Sequence, residues 1–359
     1  MPAARADAAD RRRPHRSRVG LVLFAAVSLL VVWELAARTA GLGTPPGRLL
    51  GRALGGVSDL GRIAYQAQPY VGFGLTPDYE WSRPDPAVPV RTNNNLGFRG
   101  PDTTRAKPDG TFRIVCLGGS TTFSDAVDDD ETYPVHLQRE LRAARPDLDI
   151  EVINAGVPSY TSAESLANLA FRVLDLSPDM IVIYHAANDW RPRLYPDFRP
   201  DYFHYRKPWD GSDRLQQQRA DTDMAGGINT VVQWLPPEDA GDPQEHARRA
   251  GPGAFRRNLV SMIGVARAHG VTPVLVSFAA KGPDPAGTPG LLAGVAEHNR
   301  VLGEVAAEHG VALVDLDGRL SREGTFASKF GEPDPVHLNA TGTRAKAAII
   351  AEGIAPLLP

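Results

Sequence analysis

The feature that most constrains the fold of this chain is a regular alternation of short apolar runs and longer amphipathic segments after Gly110. Short apolar runs are typical of buried strands, and apolar residues three or four positions apart are typical of helices. The predicted strands span residues 112–117, 150–153, 180–184, 273–277 and 311–314, and the predicted helices span 132–144, 163–174, 254–269, 291–309 and 340–354. This alternation predicts an α/β fold with a parallel sheet covered by helices on both faces.

Candidate functional residues follow the ends of these strands, because ligands of parallel sheets bind beyond the carboxyl ends of the strands. Ser120 follows two glycines at the first strand end, and Gly156 ends the second strand, where its N–H is open to a substrate oxygen. Asn188 brings a carboxamide to the third strand end. Asp334 and His337 precede the last helix. A phosphate-binding loop is excluded at Ser120, because the required glycine-lysine pattern is absent.

These four segments, in this order, resemble the sequence blocks of the SGNH (GDSL-like) hydrolase superfamily, over about residues 91–359 with an interruption after Asn188. The resemblance implies a flavodoxin-like three-layer α/β/α sandwich and chemistry on acyl esters. Ser120 is then the nucleophile and His337 its general base, and Asp334 orients the imidazole. An oxyanion hole is implied from the N–H groups of Ser120 and Gly156 and the amide of Asn188.

One residue departs from the pattern of that superfamily. The third block usually begins with glycine, and this chain has Ala186 there. We expect the added methyl group to cost little if Ala186 keeps a negative φ, and otherwise to narrow the pocket or shift Asn188. We expect no cofactor and no metal ion.

Other chemically active residues have simpler interpretations. His185 is interpreted as a satisfied core residue more readily than as a pocket residue, and Cys116 as inert packing in the first strand. His298 and His309 lie on one predicted helix without a third ligand nearby, which disfavours a metal site. The single cysteine excludes an internal disulfide.

The charge of the chain is unevenly distributed. The net charge is −3, but residues 1–18 carry six arginines and two aspartates, a local +4, which leaves −7 for the remainder. The basic segment precedes residues 19–37, where Glu34 is the one charged residue; nineteen helical positions span about 28 Å. This predicts a single transmembrane anchor with its basic end in the cytoplasm. A cleaved signal peptide and a buried helix of a soluble protein are the alternatives.

The expected organisation is therefore a cytoplasmic tail at 1–18, an anchor at 19–37, an irregular arm at 38–88 and a hydrolase domain at 89–359. Residues 91–100 are interpreted as a surface turn, with an edge beside the active site as the alternative. Asp128–Glu131 is interpreted as a solvated loop leading into a helix. An aromatic insertion at about 190–250 is expected to form a lid over the substrate site rather than only a small aromatic core.

The leading functional hypothesis is an extracytoplasmic serine esterase that removes O-acyl groups from a cell-surface glycan or glycolipid. An O-acyltransferase that uses the same acyl-enzyme is the first alternative, and a catalytically silent glycan-binding or assembly protein is the second. The expected partners are an acyl-ester substrate and the membrane. The net charge gives no reason to expect a nucleic acid, and the oligomeric state stays open.

Overall fold

The computed structural model describes residues 28–29, 64–68, 70–81, 89–206, 236–282 and 287–359. Ile63–Pro359 forms one compact unit, so this unit begins before residue 89, where we expected the hydrolase domain to start. Met1–Arg62 forms a second unit. Its expected tail and anchor lie outside the described residues, apart from the helical Ser28 and Leu29. None of the helices among the described residues combines the length and the hydrophobicity that a membrane crossing requires.

The described strands are β1 (Tyr65–Gln68), β2 (Gly72–Leu75), β3 (Tyr79–Glu80), β4 (Thr92–Asn93), β5 (Thr111–Gly118), β6 (Asp149–Gly156), β7 (Met180–Tyr184), β8 (Thr272–Val276) and β9 (Ala312–Val314). The described α-helices are α1 (Ser120–Phe123), α2 (Tyr133–Ala144), α3 (Ser162–Asn168), α4 (Ala187–Trp190), α5 (Pro243–Ala250), α6 (Gly253–Ala268), α7 (Leu291–His309), α8 (Leu316–Ser321) and α9 (Ala340–Ile354). A π-helical turn, Leu169–Val173, and a 3₁₀ turn, Leu174–Leu176, continue α3.

Five parallel strands form the central sheet, in the order β6-β5-β7-β8-β9. This is the flavodoxin-like order, in which the chain direction across the sheet reverses between β5 and β7 and opens a crevice at their carboxyl ends. Gly118 at the end of β5 is in register with Gly156 of β6 and with Tyr184 of β7. The residues that follow these strands therefore meet at one edge of the sheet.

Two apolar layers cover the sheet, as the strand and helix pattern predicted. Ile114 and Cys116 of β5 face a core formed with α2 and α9, whereas Val115 and Leu117 face a second core formed with α6 and part of α7. Because both faces of the strand are buried, β5 is a continuous apolar run rather than an alternating one. The three-layer arrangement confirms the predicted α/β class.

The arm holds regular structure that the sequence did not indicate. β1 and β2 form an antiparallel hairpin, and β3 pairs with β4. Trp81 lies edge-on to Phe123, with 6.0 Å between the ring centroids, and Phe73 lies edge-on to Tyr160 at 5.1 Å. The expectation of an irregular arm was therefore wrong for residues 64–68 and 70–81, while 38–63 and 82–88 lie outside the described residues.

Most of the segment 91–100 is buried and only Asn95 in it is exposed, so the surface-turn interpretation was wrong and the edge interpretation is closer to the structure. The buried Arg99 donates to the carbonyls of Phe123, Ser124 and Val127, each at 2.6 Å. Its Nε donates to Asp129 Oδ1 at 2.8 Å. The guanidinium therefore fastens this segment to the loop that follows Ser120.

The acidic loop Asp128–Glu131 is not simply solvated. Asp129 accepts the bond from Arg99, and Glu131 forms an ion pair with Arg344 of α9 at 2.8 Å. Asp128 accepts from the N–H of Val90 at 2.5 Å. Three of the four carboxylates thus connect this loop to other segments.

Candidate active site

The turn between β5 and α1 presents Ser120 at the sheet edge. A Cβ on Gly118 would lie 2.1 Å from Thr122 Oγ1, and a Cβ on Gly119 would lie 2.6 Å from Asn188 Nδ2, so neither position has room for a side chain. Ser120 is the first residue of α1, where the backbone N–H has no intrahelical acceptor. The two glycines therefore allow the tight turn that leaves the hydroxyl and the N–H of Ser120 at the crevice.

Ser120, His337 and Asp334 form a continuous hydrogen-bonded chain. Ser120 Oγ donates to His337 Nε2 at 2.7 Å, and His337 Nδ1 donates to Asp334 Oδ2 at 2.6 Å. The backbone N–H groups of Val336 and His337 donate to Asp334 Oδ1, both at 2.8 Å. The carboxylate is thus held in place by its own loop, and it in turn fixes the orientation of the imidazole.

These contacts determine the charge states of Asp334 and His337. Burial disfavours ionisation of Asp334, but hydrogen bonds from the ring and backbone of His337 outweigh it and lower the pKa of Asp334 to about 2. Burial also disfavours the charged form of His337, yet the hydrogen bond and charge of Asp334, aided by the charge of Asp125, raise the pKa of His337. The arrangement therefore stabilises an imidazolium, the state that forms when His337 takes the proton of Ser120.

Asn188 lies beside the serine. Its Nδ2 donates one hydrogen bond to the carbonyl of Tyr160 at 3.0 Å, which fixes the amide plane. An amide nitrogen carries two hydrogens, so one remains for a ligand in the cavity that Asn188 lines with Ser120 and His337. Ala186 has φ −173°, which lies outside the left-handed region that favours glycine.

The N–H of Gly156 has a hydrogen-bond partner within its own strand. That N–H donates to Asn154 Oδ1 at 3.0 Å. A Cβ at Gly156 would lie 2.2 Å from the backbone nitrogen of Phe123 in α1. Glycine is needed there because β6 and α1 approach closely, and the contribution of its N–H to an oxyanion hole stays a prediction.

The cavity at the site is small. Its volume is about 50 Å³. Its lining residues are Gly119, Ser120, Thr121, Tyr184, His185, Ala186, Ala187, Asn188, Arg191, Phe278, Leu291, Val336 and His337.

His185 lines this cavity but is bonded within the core. Its Nε2 lies 2.7 Å from Ser165 Oγ, and burial lowers the pKa of His185 to about 3, so the ring stays neutral. His298 Nδ1 donates to the carbonyl of Ala186 at 2.9 Å, and its Nε2 accepts from Arg193 at 3.1 Å. Both nitrogens of His298 are therefore engaged, in keeping with a structural histidine.

Cys116 is fully buried, and burial raises the pKa of its thiol to about 12, as expected for an unreactive packing residue.

The side chains in the described part of the aromatic insertion pack in the protein interior. Tyr195 and Tyr205 join the aromatic cluster of the arm, and Trp190 packs in the main core. Residues 207–235 of the expected lid lie outside the described residues.

Two residues near the site were not among the site residues predicted from the sequence. Asp125 Oδ2 lies 3.8 Å from His337 Nε2, and Arg191 lines the cavity beside Asn188. Asp125 could have been identified as a carboxylate five positions after Ser120, because a one-turn helix after the serine returns the chain toward the site. The signal for Arg191 was its place one helical turn after Asn188.

The sequence model of the GDSL-like lipase/acylhydrolase family matches residues 116–345. Among solved structures, the chain is similar to a lipase/acylhydrolase from Enterococcus faecalis, with 21% identity, a TM-score of 0.45, and coverage of 69% of this chain and 97% of that one. It is also similar to an acetyl xylan esterase from Geobacillus stearothermophilus, with 15% identity, a TM-score of 0.44, and coverage of 70% and 97%. No curated protein matches the chain.

Proposed function

The chain belongs to the GDSL-like lipase/acylhydrolase family of ester-hydrolysing serine hydrolases, and from that premise we propose that Ser120, His337 and Asp334 are its catalytic triad. The observation that carries this proposal is the unbroken hydrogen-bonded chain from Ser120 Oγ through both ring nitrogens of His337 to Asp334. A serine hydroxyl becomes a useful nucleophile only when a positioned base accepts its proton, and His337 Nε2 is in position to do so.

In the first half-reaction, Ser120 Oγ attacks the acyl carbon while its proton moves to His337 Nε2. Asp334 stabilises the resulting imidazolium through the bond to Nδ1. The N–H of Ser120 and the free amide hydrogen of Asn188 are the proposed donors to the oxyanion of the tetrahedral intermediate. The proton on Nε2 then passes to the alkoxide that leaves, and the acyl group stays on Ser120.

The proposed substrate is a short O-acyl group, such as acetyl, on a cell-surface glycan or glycolipid. The small cavity supports a short acyl chain, because Tyr184, Phe278 and Leu291 line a space of only about 50 Å³. The proposed extracytoplasmic location depends on residues 19–37 acting as an anchor or signal segment, with the basic residues 1–18 retained in the cytoplasm.

The test of this function is hydrolysis of p-nitrophenyl acetate by the full chain and its variants. We expect Ser120→Ala to lower kcat by about 10⁴–10⁶-fold. Asn188→Ala removes one proposed oxyanion donor, and we expect it to lower kcat by about 10²–10³-fold. Ser328→Ala is the control, since this exposed hydroxyl bonds only to a local carbonyl among the described residues. Wild-type turnover in folded Ser120→Ala would exclude the proposed nucleophile.

A further inference from the structure

Asp125 is a carboxylate beside the reacting atoms that the proposed triad does not use. Helix α1 is one turn long and ends at Phe123. The next residue, Ser124, has φ 66°, and the N–H groups of Ser124 and Asp125 both donate to the carbonyl of Ser120, at 2.7 and 3.4 Å. This reversal returns the chain toward the serine. It leaves Asp125 Oδ2 3.8 Å from His337 Nε2, on the side of the imidazole that faces Ser120 rather than Asp334.

The loop that carries Asp125 is held firmly. Arg99 binds the carbonyls of Phe123, Ser124 and Val127, which flank Asp125 on both sides. The same guanidinium lies over the ring of Phe123, with its Cζ 4.5 Å from the centroid. The position of the Asp125 carboxylate is therefore built into the fold.

One oxygen of this carboxylate lacks a partner. Asp125 Oδ1 is buried and has no hydrogen-bond partner among the residues that the structure describes. A buried acceptor left without a donor costs free energy. The other oxygen, Oδ2, is the one that lies 3.8 Å from His337 Nε2 and faces the reacting atoms. Burial raises the pKa of Asp125, while the charges of His337, Arg91 and Arg99 act in the opposite direction.

The distance between Asp125 and His337 fits a shared oxygen. A separation of 3.8 Å is too long for a direct hydrogen bond, but one oxygen atom placed about 2.8 Å from each of the two atoms fits between them. In the free enzyme, His337 Nε2 accepts a hydrogen bond from Ser120 Oγ. Once Ser120 is acylated its hydroxyl proton is gone, and Nε2 is open to the next nucleophile.

We propose that Asp125 positions the nucleophile of the second half-reaction and favours water over an alcohol with a single hydroxyl. This proposal rests on the proposed esterase function. Water has two O–H groups, one for His337 Nε2 and one for Asp125. A monohydric alcohol has one, so its attack leaves Asp125 unpaired, whereas a vicinal diol can serve both acceptors.

Deacylation of Ser120 proceeds through a second tetrahedral intermediate. The water oxygen forms a bond to the acyl carbon while one water proton moves to His337 Nε2 and the other O–H stays bonded to Asp125. The tetrahedral intermediate then expels Ser120 Oγ, which takes the proton from Nε2. The products are a free carboxylic acid and the serine hydroxyl, and Asp125 ends unchanged.

The experiment separates the two half-reactions in the full chain with p-nitrophenyl acetate. Burst kinetics of p-nitrophenol report acylation, the steady-state rate reports deacylation, and NMR of the products in the presence of methanol or ethylene glycol reports the partition of the acyl-enzyme. The variants are Asp125→Asn and Asp125→Ala. Asp130→Asn, an exposed carboxylate of the same loop, is the control for charge.

For Asp125→Ala we expect deacylation by water to slow by about 10–100-fold, the effect of one lost hydrogen bond to a charged group, and acylation to change by less than about threefold. The ratio of methyl acetate to acetate should rise about tenfold, and Asp125→Asn should lie between wild type and Asp125→Ala. In wild type we expect ethylene glycol to capture more of the acyl-enzyme than methanol does. This difference should be smaller in Asp125→Asn and smallest in Asp125→Ala. The control should match wild type.

An unchanged partition ratio in both folded Asp125 variants would overturn the proposal, as would equal losses in acylation and deacylation. Thermal unfolding of each variant identifies those that fold. If Asp125→Ala does not fold, the isosteric Asp125→Asn provides the test. Failure of the esterase function itself would look different, because the wild-type chain would then show no burst that depends on Ser120.

Discussion

At the scale of single residues, His337 shows how local contacts set the chemistry. Its two ring nitrogens contact Asp334 and Ser120, and the carboxylates of Asp334 and Asp125 raise its pKa. A raised pKa means that the charged ring adds stability at low pH, and that this contribution is lost as pH rises through the raised value. The lowered pKa of Asp334 acts in the opposite sense, since its contribution is lost as pH falls from 3.8 to about 2.

The proposed general base must be neutral to accept the proton of Ser120, so activity should fall as pH drops through the raised pKa of His337. Asp334→Asn removes the main cause that raises this pKa, and we expect the midpoint of the acidic limb of kcat/KM to move to lower pH. The same variant should lower kcat by about 10⁴-fold, because the imidazole loses its orientation and charge partner. NMR titration of His337 in both proteins is the direct measurement. An unshifted midpoint would contradict the assignment of Asp334.

At the scale of elements, two buried basic side chains from remote segments contact the nucleophile turn. Arg99 binds three carbonyls after Ser120, and Lys346 of α9 donates to the carbonyl of Thr121 at 3.3 Å. Lys346 Nζ lies 3.3 Å from the ring centroid of Tyr184 and 3.7 Å from that of Tyr133, and burial lowers its pKa well below 10.5. The turn is thus fixed by side chains from segments far away in sequence.

Arg99→Ala tests how much the hydrogen bonds of Arg99 stabilise the fold. Removing the guanidinium leaves three carbonyls and Asp129 without their buried partner, and we expect a loss of about 3–5 kcal/mol in the free energy of unfolding, measured by urea denaturation. Arg105→Ala is the matched control. Its ion pair with Asp175 spans 3.5 Å between side chains that are 66% and 61% exposed, so we expect a loss below about 1 kcal/mol. Equal losses in the two variants would show that the hydrogen bonds of Arg99 do not stabilise the fold more than an exposed ion pair does.

At the scale of the whole molecule, buried polar contacts join helix α7 to the segment after β7 and to the insertion. His298 of α7 donates to Ala186 beside the active site and accepts from Arg193 of the insertion. Burial lowers the pKa of His298 to about 3, so the folded protein holds this ring neutral while the unfolded chain protonates it near 6.5. Acid therefore stabilises the unfolded state relative to the folded state.

His298→Gln removes this linkage. Between pH 6.5 and about 3, the wild type should lose about 1.4 kcal/mol of unfolding free energy per pH unit relative to the variant. Urea denaturation at pH 6.0 and 4.5 measures the change in this difference, which we expect to be about 2 kcal/mol. His309→Gln, at the end of the same helix, is the control. A difference that does not vary with pH would show that His298 is charged in the folded protein.

The strand and helix periodicity and the blocks around Ser120, Asn188 and His337 could be read from the sequence, because periodicity and residue type are local properties. The described geometry adds what depends on contacts between distant segments. Gly156 packs against α1 while its N–H donates to Asn154, most of residues 91–100 is buried, and the arm carries a hairpin. Asp125 reaches His337 only because a one-turn helix reverses the chain. The sequence by itself thus determined the layers and the types of chemical groups at the strand ends, whereas only the tertiary structure decided which donors remain free, since hydrogen-bond partners depend on the packing of remote segments.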